Sequence, residues 1–169
     1  MNDDFAALFA YNCWANAKML DACRKLTPEQ YEAEPVSGWS SVRATVWHIA
    51  VVTEGWPRGL ANDPDLSFPT EAELAAVDDA ERLLARAYRR FDELLPALTP
   101  DRLSTPVTLS RRGRSATLPP WAVLRHIVNH TTYHRGQVAS KLKRFGIQQA
   151  ESDFVFWATE QIPQPAGGS

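Results

Sequence analysis

Three of the four histidines in the chain, His126, His130 and His134, lie four residues apart in the segment 119–146. On a helix this spacing places the side chains on one face, one turn apart. Apolar residues recur through the same segment at intervals of three and four, and His134 falls within their stripe with His130 beside it. Imidazoles that face a helical core need polar partners, so the pattern indicates a chemical role.

Metal binding is one such role, because one helical turn lets histidines at i and i+4 hold the same ion. Residues eight apart are separated by about 12 Å at roughly 1.5 Å rise per residue, so the pair is either His126 with His130 or His130 with His134. A third ligand must come from elsewhere, and His48 is the remaining histidine. The glutamate of the HExxH metalloprotease pattern is absent. The alternative is that these are core or surface histidines with hydrogen-bonded nitrogens.

The run His-Thr-Thr-Tyr-His-Arg-Gly-Gln at 130–137, together with a lone histidine on an early helix, resembles the DinB-like family of metal-binding four-helix bundles. Trp-Ala-Asn at 14–16 and Asp-Phe-Val-Phe at 153–156 match weaker features of that family. The resemblance covers roughly residues 5–158. It implies His48, His130 and His134 as the metal ligands, with His126 a neighbour one turn away.

The length and composition agree with one soluble domain at 1–162 and a flexible tail at 163–169. Charged residues reach 22%, and no apolar run is long enough to cross a bilayer. A net charge of −2 gives no general attraction to nucleic acid or to anionic lipid. Cys13 and Cys23 lie about 15 Å apart on one helix, too far for a disulfide. We expect a cytoplasmic protein.

The fold predicted is all-α, a four-helix bundle with a short β-hairpin before the fourth helix. The resemblance implies an up-down-down-up order of the helices, with 57–70 as the crossover. The segments are helix one at 3–25, a capped turn from Thr27, a connector at 35–39, helix two from Ser40 or Ser41 to Pro57, helix three at 71–95 after a Thr70–Glu73 capping box, the hairpin at 105–118, helix four at 119–146 with Gly146 at its stop, and a short segment at 153–161.

Two features of the first two helices leave alternatives open. Asn12 and Asn16 interrupt the apolar stripe of helix one. Buried amides must find partners, so the two residues are expected to pin the helix register or to face solvent at the edge of the stripe. The alternative is that Asn16 lies near the metal site as a substrate or supporting contact. Helix two is apolar on nearly all sides, so it is either a well-covered interior helix or part of a homodimer interface.

Several side chains near the histidines and on the arginine-rich segments also have two interpretations. Gln137 either orients water or substrate or makes a structural hydrogen bond, and Arg135 is expected to form a structural salt bridge. Asp153 either orients a ligating imidazole or caps the last short helix. The arginines at 82, 86, 89 and 90 are expected on the solvated side of helix three, and those at 111, 112 and 114 in a solvated hairpin tip or a site for an anionic substrate.

Three neutral imidazoles on a divalent ion leave coordination positions open, as in a catalytic site. The set favours Zn²⁺, with Ni²⁺, Fe²⁺ and Cu²⁺ as alternatives. The ion could activate water or a thiol or polarise a carbonyl. The resemblance implies thiol transfer or thiol-dependent isomerisation on a small electrophile, with a low-molecular-weight thiol as co-substrate. A metal-dependent hydrolase and a non-enzymatic bundle with a structural or sequestered ion are the alternatives. The charge balance gives no support to a DNA repair role.

Overall fold

The structure, a computed structural model, describes residues 2–34, 40–63, 67–111 and 114–162. The helices in these ranges are α1 (Asn2–Cys23), α2 (Pro28–Glu32), α3 (Val42–Leu60), α4 (Val77–Leu94), α5 (Pro100–Ser104), α6 (Pro120–Lys143) and α7 (Phe154–Gln161), with a 3₁₀ helix at Leu95–Ala97. The strands β1 (Val107–Arg111) and β2 (Arg114–Leu118) form the predicted antiparallel hairpin. The predicted connector at 35–39, the centre of the hairpin tip at 112–113 and the predicted tail at 163–169 lie outside the described residues.

The four long helices α1, α3, α4 and α6 form a bundle in which α1 and α3 each pack against both α4 and α6. Helices α1 and α6 run parallel, because Asp4 lies near Arg125 while Asn16, three turns later, bonds Arg135. No helix in the described part of the chain is both long and apolar enough to cross a membrane.

Helix α3 runs antiparallel to α6. Its first turn meets the last turn of α6, where Lys141 donates to Thr45, and its final turns meet the start of α6, where the ring of Trp56 lies edge-on to His126.

Helix α4 is antiparallel to α1. Arg24 after the end of α1 binds Asp78 at the start of α4, and Phe9 near the beginning of α1 stacks on Phe91 near the end of α4. The pairings together give the up-down-down-up order, which confirms the fold that the resemblance implied.

Two boundaries differ from the sequence-based prediction. Thr70 and Glu73 do exchange capping-box hydrogen bonds (2.7 and 3.4 Å), but the bonds enclose a turn and not a helix start. Helix α4 begins only at Val77, where the Asp79 carboxylate accepts from the Ala76 N–H at 2.9 Å. Its start was therefore predicted six residues too early.

Helix α3 continues to Leu60, one turn beyond Pro57. A proline removes its own N–H bond from the ladder, and here the ring is buried and the turn is closed by the Ala61 N–H on the Pro57 carbonyl at 2.9 Å. The predicted surface connection thus begins after Leu60.

Gly146 ends α6 as predicted. It has φ +70°, its N–H bonds the Lys143 carbonyl at 3.1 Å, and the Ile147 N–H bonds the Leu142 carbonyl at 3.2 Å. These bonds define a Schellman motif, which needs a left-handed residue at this position and so favours glycine.

The core consists of two apolar clusters, one around Met19, Ile49 and Leu142 and the other around Phe9 and Ile127. Most apolar positions of α3 are buried within this single chain, as an interior helix requires. A homodimer remains a prediction.

A buried polar network lies between these clusters along α1 and α6. Arg135 is 2% exposed, and its Nη1 donates to Asn12 Oδ1 at 2.7 Å and to Asn16 Oδ1 at 3.0 Å. Its Nη2 donates to the hydroxyls of Tyr11 and Thr132 at 3.0 and 2.7 Å. No carboxylate pairs with Arg135 among the described residues, so the predicted salt bridge is wrong: neutral oxygens take its place.

The asparagine amides extend the network to α4. Asn16 Nδ2 donates to the Tyr88 hydroxyl at 2.7 Å, and Asn12 Oδ1 accepts from Thr131 at 2.6 Å. Burial raises the pKa of Tyr88, so its hydroxyl stays protonated. Both asparagines therefore hold α1 in register with α4 and α6.

Helix α7 closes over the outer face of α1. The ring of Tyr11 meets Phe154 edge-on at 5.1 Å, and its hydroxyl donates to the Ser152 carbonyl at 3.1 Å. Trp14 Nε1 donates to Glu160 at 3.0 Å. Tyr11 thus belongs both to this contact and to the Arg135 network.

We expect Arg135→Met to lower the free energy of unfolding by at least about 2 kcal/mol, because buried acceptors lose their charged donor. Urea denaturation measures the change. Arg125→Met on the same helix is the control, since Arg125 is mostly exposed, and it should cost less than about 0.5 kcal/mol. If Arg135→Met is as stable as the wild type, the cost of burying the cation offsets the free energy that its hydrogen bonds contribute.

Candidate metal centre

Three histidines converge between α3 and α6. The Nε2 atoms of His48 and His134 each lie 3.2 Å from Nε2 of His130. One ring nitrogen from each residue lies within 4.8 Å of the others. The cluster is therefore compatible with three imidazoles binding one ion.

The antiparallel packing of α3 on α6 positions these rings. His130 and His134 lie one turn apart on α6, and His48 approaches from α3 between two helix contacts. Those contacts are Thr45 with Lys141 on one side and Trp56 with the first half of α6 on the other. The structure thus selects His130 with His134 over the pair that includes His126.

The protonation state of His130 suits it to bind a cation. Burial, followed by the nearby His134 and His48 rings, lowers its pKa to about 4. The ring is therefore neutral near pH 7, which a metal ligand must be. Its Nδ1 is buried and has no hydrogen-bond partner among the described residues.

Gln137 fixes the tautomer of His134. Its side-chain Oε1 lies 2.8 Å from Nδ1 of His134, and since an amide oxygen can only accept, Nδ1 carries the proton. In this tautomer Nε2 carries the lone pair, and it faces Nε2 of His130 at 3.2 Å. Support of this kind through the second nitrogen is typical of metal-binding histidines.

The sequence left two roles open for each of Gln137 and Asp153. Gln137 was expected either to orient water or substrate or to make a structural hydrogen bond, and Asp153 either to orient an imidazole or to cap the last short helix. In the structure the Gln137 oxygen supports the imidazole, while Asp153 is exposed at the N-cap position of α7 without a side-chain cap bond. The i+3 spacing from His134 was the available signal for the Gln137 contact.

Asn16, the other predicted substrate contact, directs its amide to Tyr88 and Arg135 in the buried network. Its partner Arg135 directly follows His134 in the chain. The hydrogen bonds of its amide do not include the histidines.

His126 is exposed and lies outside the three-nitrogen cluster. Its ring centroid is 5.1 Å from that of His130 and 5.4 Å from that of Trp56. At the other end of the cluster, the ring of Tyr133 lies 5.1 Å from His134 and is 66% exposed. Aromatic rings therefore flank the site on both sides.

The centre reaches solvent. His48 and His130 are partly exposed, whereas His134 is only 5% exposed. The chain supplies a cluster of three imidazoles in which two rings border water, so small molecules can approach the cluster from solvent.

The fold and the histidine cluster define the class of protein as a four-helix bundle with a possible three-histidine metal site. The sequence matches the model of the DinB family over residues 1–165, and the chain belongs to that family.

Its relatives agree with this assignment. "Protein DinB" of Bacillus subtilis (strain 168) is 27% identical over 164 residues, which cover 91% of this chain and 93% of that protein. A DinB-like protein from Bacillus cereus has a solved structure with a TM-score of 0.63 and 20% identity, covering 88% of this chain and 95% of the other. A DinB-like protein from Bacillus subtilis gives a TM-score of 0.58 at 17% identity, with 86% and 99% covered.

We expect Gln137→Leu to weaken Zn²⁺ binding by roughly 10- to 100-fold, because the His134 ring loses the acceptor that sets its tautomer. Competition with a chromogenic chelator measures the affinity. Gln148→Leu, an exposed glutamine beyond α6, is the matched control and should bind as the wild type does. Equal affinities in both variants would show that the His134–Gln137 contact does not tune the site.

Proposed function

We propose that this chain binds a divalent metal ion through His48, His130 and His134 and acts as a metal-dependent enzyme on small electrophiles, by thiol transfer or thiol-dependent isomerisation. The observation that carries the proposal is the convergence of three imidazole nitrogens from two helices within 4.8 Å. Membership of the DinB family agrees with it.

The donor set supports a catalytic ion over a closed structural one. Structural zinc sites have four protein ligands, whereas catalytic sites have three and an open position. Neutral imidazoles suit Zn²⁺, and they also accept Ni²⁺ or Fe²⁺. Zn²⁺ is the first metal to test.

A bound divalent ion would lower the pKa of a coordinated thiol or water and polarise a carbonyl. The residues of this chain hold and shape the site. His130 stays neutral near pH 7, and Gln137 keeps His134 in the tautomer with its lone pair on Nε2. Tyr133 offers apolar surface beside the His134 ring for the body of a substrate, and Trp56 extends the aromatic surface beyond His126.

The thiol in this scheme comes from a small molecule and not from the protein. Burial raises the pKa of Cys23 to about 12, and burial with the nearby Asp92 carboxylate raises that of Cys13. Neither cysteine is therefore poised as a thiolate. An external low-molecular-weight thiol supplies the nucleophile.

The ligand assignment is tested by elemental analysis of protein purified without an affinity tag. We expect His48→Ala and His134→Ala each to lose stoichiometric metal while staying largely helical by circular dichroism. His126→Ala is the matched control, because this exposed ring lies outside the cluster, and it should keep the metal. Full metal content in both ligand variants would remove the proposed site.

Removal of the metal distinguishes a catalytic ion from a structural one. After treatment with a chelator we expect the bundle to keep its helix content, because two apolar clusters and the Arg135 network hold it together. Loss of most folding free energy on chelation would instead indicate a structural ion.

The reaction itself is tested with Zn²⁺-loaded protein, a small thiol and a chromogenic aryl halide. We expect thioether formation that needs both metal and thiol and that is lost in His134→Ala. If the protein hydrolyses an ester in the absence of thiol and does not convert the aryl halide in its presence, the hydrolase is favoured.

A further inference from the structure

A cavity of about 700 Å³ lies between α3 and α4, away from the histidines. The charged side chains that line it are three carboxylates and four guanidinium groups: Glu54, Glu73, Asp79, Arg58, Arg82, Arg86 and Arg90. Glu54 follows His48 by six residues, which is about 9 Å along the helix and on another face of it. The cavity is within the size range of small-molecule sites.

Glu54 is a buried carboxylate with one unused oxygen. The residue is 0% exposed, and its Oε1 accepts from Nε of Arg86 at 3.0 Å and from Nε of Arg90 at 3.1 Å. Among the described residues, Oε2 has no hydrogen-bond partner. A buried carboxylate oxygen without a donor is costly. Because Glu54 is one of the residues that line the cavity, a donor that reaches Oε2 from that side would stabilise it.

The two arginines are held in an unusual way for a structural ion pair. A guanidinium that serves a carboxylate alone favours a two-pronged contact to both oxygens. Here Arg86 and Arg90 both use Nε on the same oxygen, and their side chains are 50% and 39% exposed. No acceptor within the described residues bonds the Nη nitrogens of Arg86.

The cluster therefore presents two guanidinium ends side by side on one helix. Like charges at i and i+4 repel, and the shared Glu54 oxygen offsets that repulsion and orients both groups. Arg82 is occupied by Asp79, and Arg58 binds Asp63 and the Ser67 carbonyl. Nη1 of Arg90 also lies 3.9 Å from the Asp63 carboxylate, a long contact. The Nη groups of Arg86 and Arg90 can therefore still bind an anionic ligand that competes with Asp63.

We propose that this cavity binds a small phosphate monoester that carries a hydroxyl group. The dianionic phosphate binds the Nη groups of Arg86 and Arg90, because guanidinium groups match phosphate oxygens. The hydroxyl donates to Oε2 of Glu54. The site is independent of the metal centre and of the function proposed for it.

The sequence-based analysis placed both arginines on the solvated side of the third helix and did not single out Glu54. Arg82, Arg86 and Arg89 are indeed exposed, but Arg86 and the half-buried Arg90 also engage the buried carboxylate. A lone Glu within the apolar run of α3 was the available signal, since such a charge must find a partner.

Isothermal titration calorimetry with glycerol 3-phosphate tests the proposal on the whole chain, stripped of metal and at constant ionic strength. We expect saturable binding of one ligand, weakened at least about tenfold in Arg86→Ala because a charged hydrogen-bond donor is lost. Arg86→Lys, which keeps the charge beside Glu54 and safeguards folding, should weaken binding several-fold.

Arg89→Ala is the matched control, because Arg89 is an exposed arginine of the same helix outside the cavity lining, and it should bind within about twofold of the wild type. His134→Ala should also bind normally, which separates this site from the metal centre. No saturable heat, or equal losses in the Ala variants at 86 and 89, would overturn the proposal. Equal affinity for methyl phosphate, which has no free hydroxyl on its carbon, would overturn the role given to Glu54.

Discussion

The buried guanidinium of Arg135 is the interaction on which the arrangement of the bundle depends. A cation taken out of water without a counter-charge must be surrounded by oriented dipoles, and here the oxygens of Asn12, Asn16, Tyr11 and Thr132 supply them. These acceptors come from α1 and α6 and lead through the asparagine amides to Tyr88 on α4. Because Arg135 follows His134, the rotation that satisfies the cation also turns the imidazoles toward α3.

Helix α3 presents a polar side chain to each of two neighbouring helices, because it packs against both of them. One face offers His48 to α6, and another offers Glu54 to α4. Each polar group on these faces requires a polar partner on the neighbouring helix. The partners of His48 are the His130 and His134 rings on α6, and the partners of Glu54 are Arg86 and Arg90 on α4. The same burial that makes α3 the centre of the core therefore gives it two polar clusters.

The sequence predicted where the helices and the hairpin lie better than it predicted which side chains contact one another. Apolar periodicity located all four long helices, and Gly146 ended α6 because the turn there needs a left-handed residue. Local spacing could not choose between His126 and His134 as the partner of His130, since only the approach of α3 distinguishes them. The start of α4 was wrong because the Thr70–Glu73 hydrogen bonds are the same around a turn as around a helix. Three of the neutral partners of Arg135, Tyr11, Asn12 and Asn16, come from positions more than a hundred residues away, beyond any local pattern.

The contact between α7 and α1 links the end of the chain to its interior. Tyr11 receives a hydrogen bond from Arg135 on one side and meets Phe154 and Trp157 on the other. Shortening the chain ahead of α7 would expose this tyrosine to water and offer Arg135 a competing solvent partner. The α7 contact therefore bears on how firmly the imidazole cluster is held, although α7 itself carries no histidine.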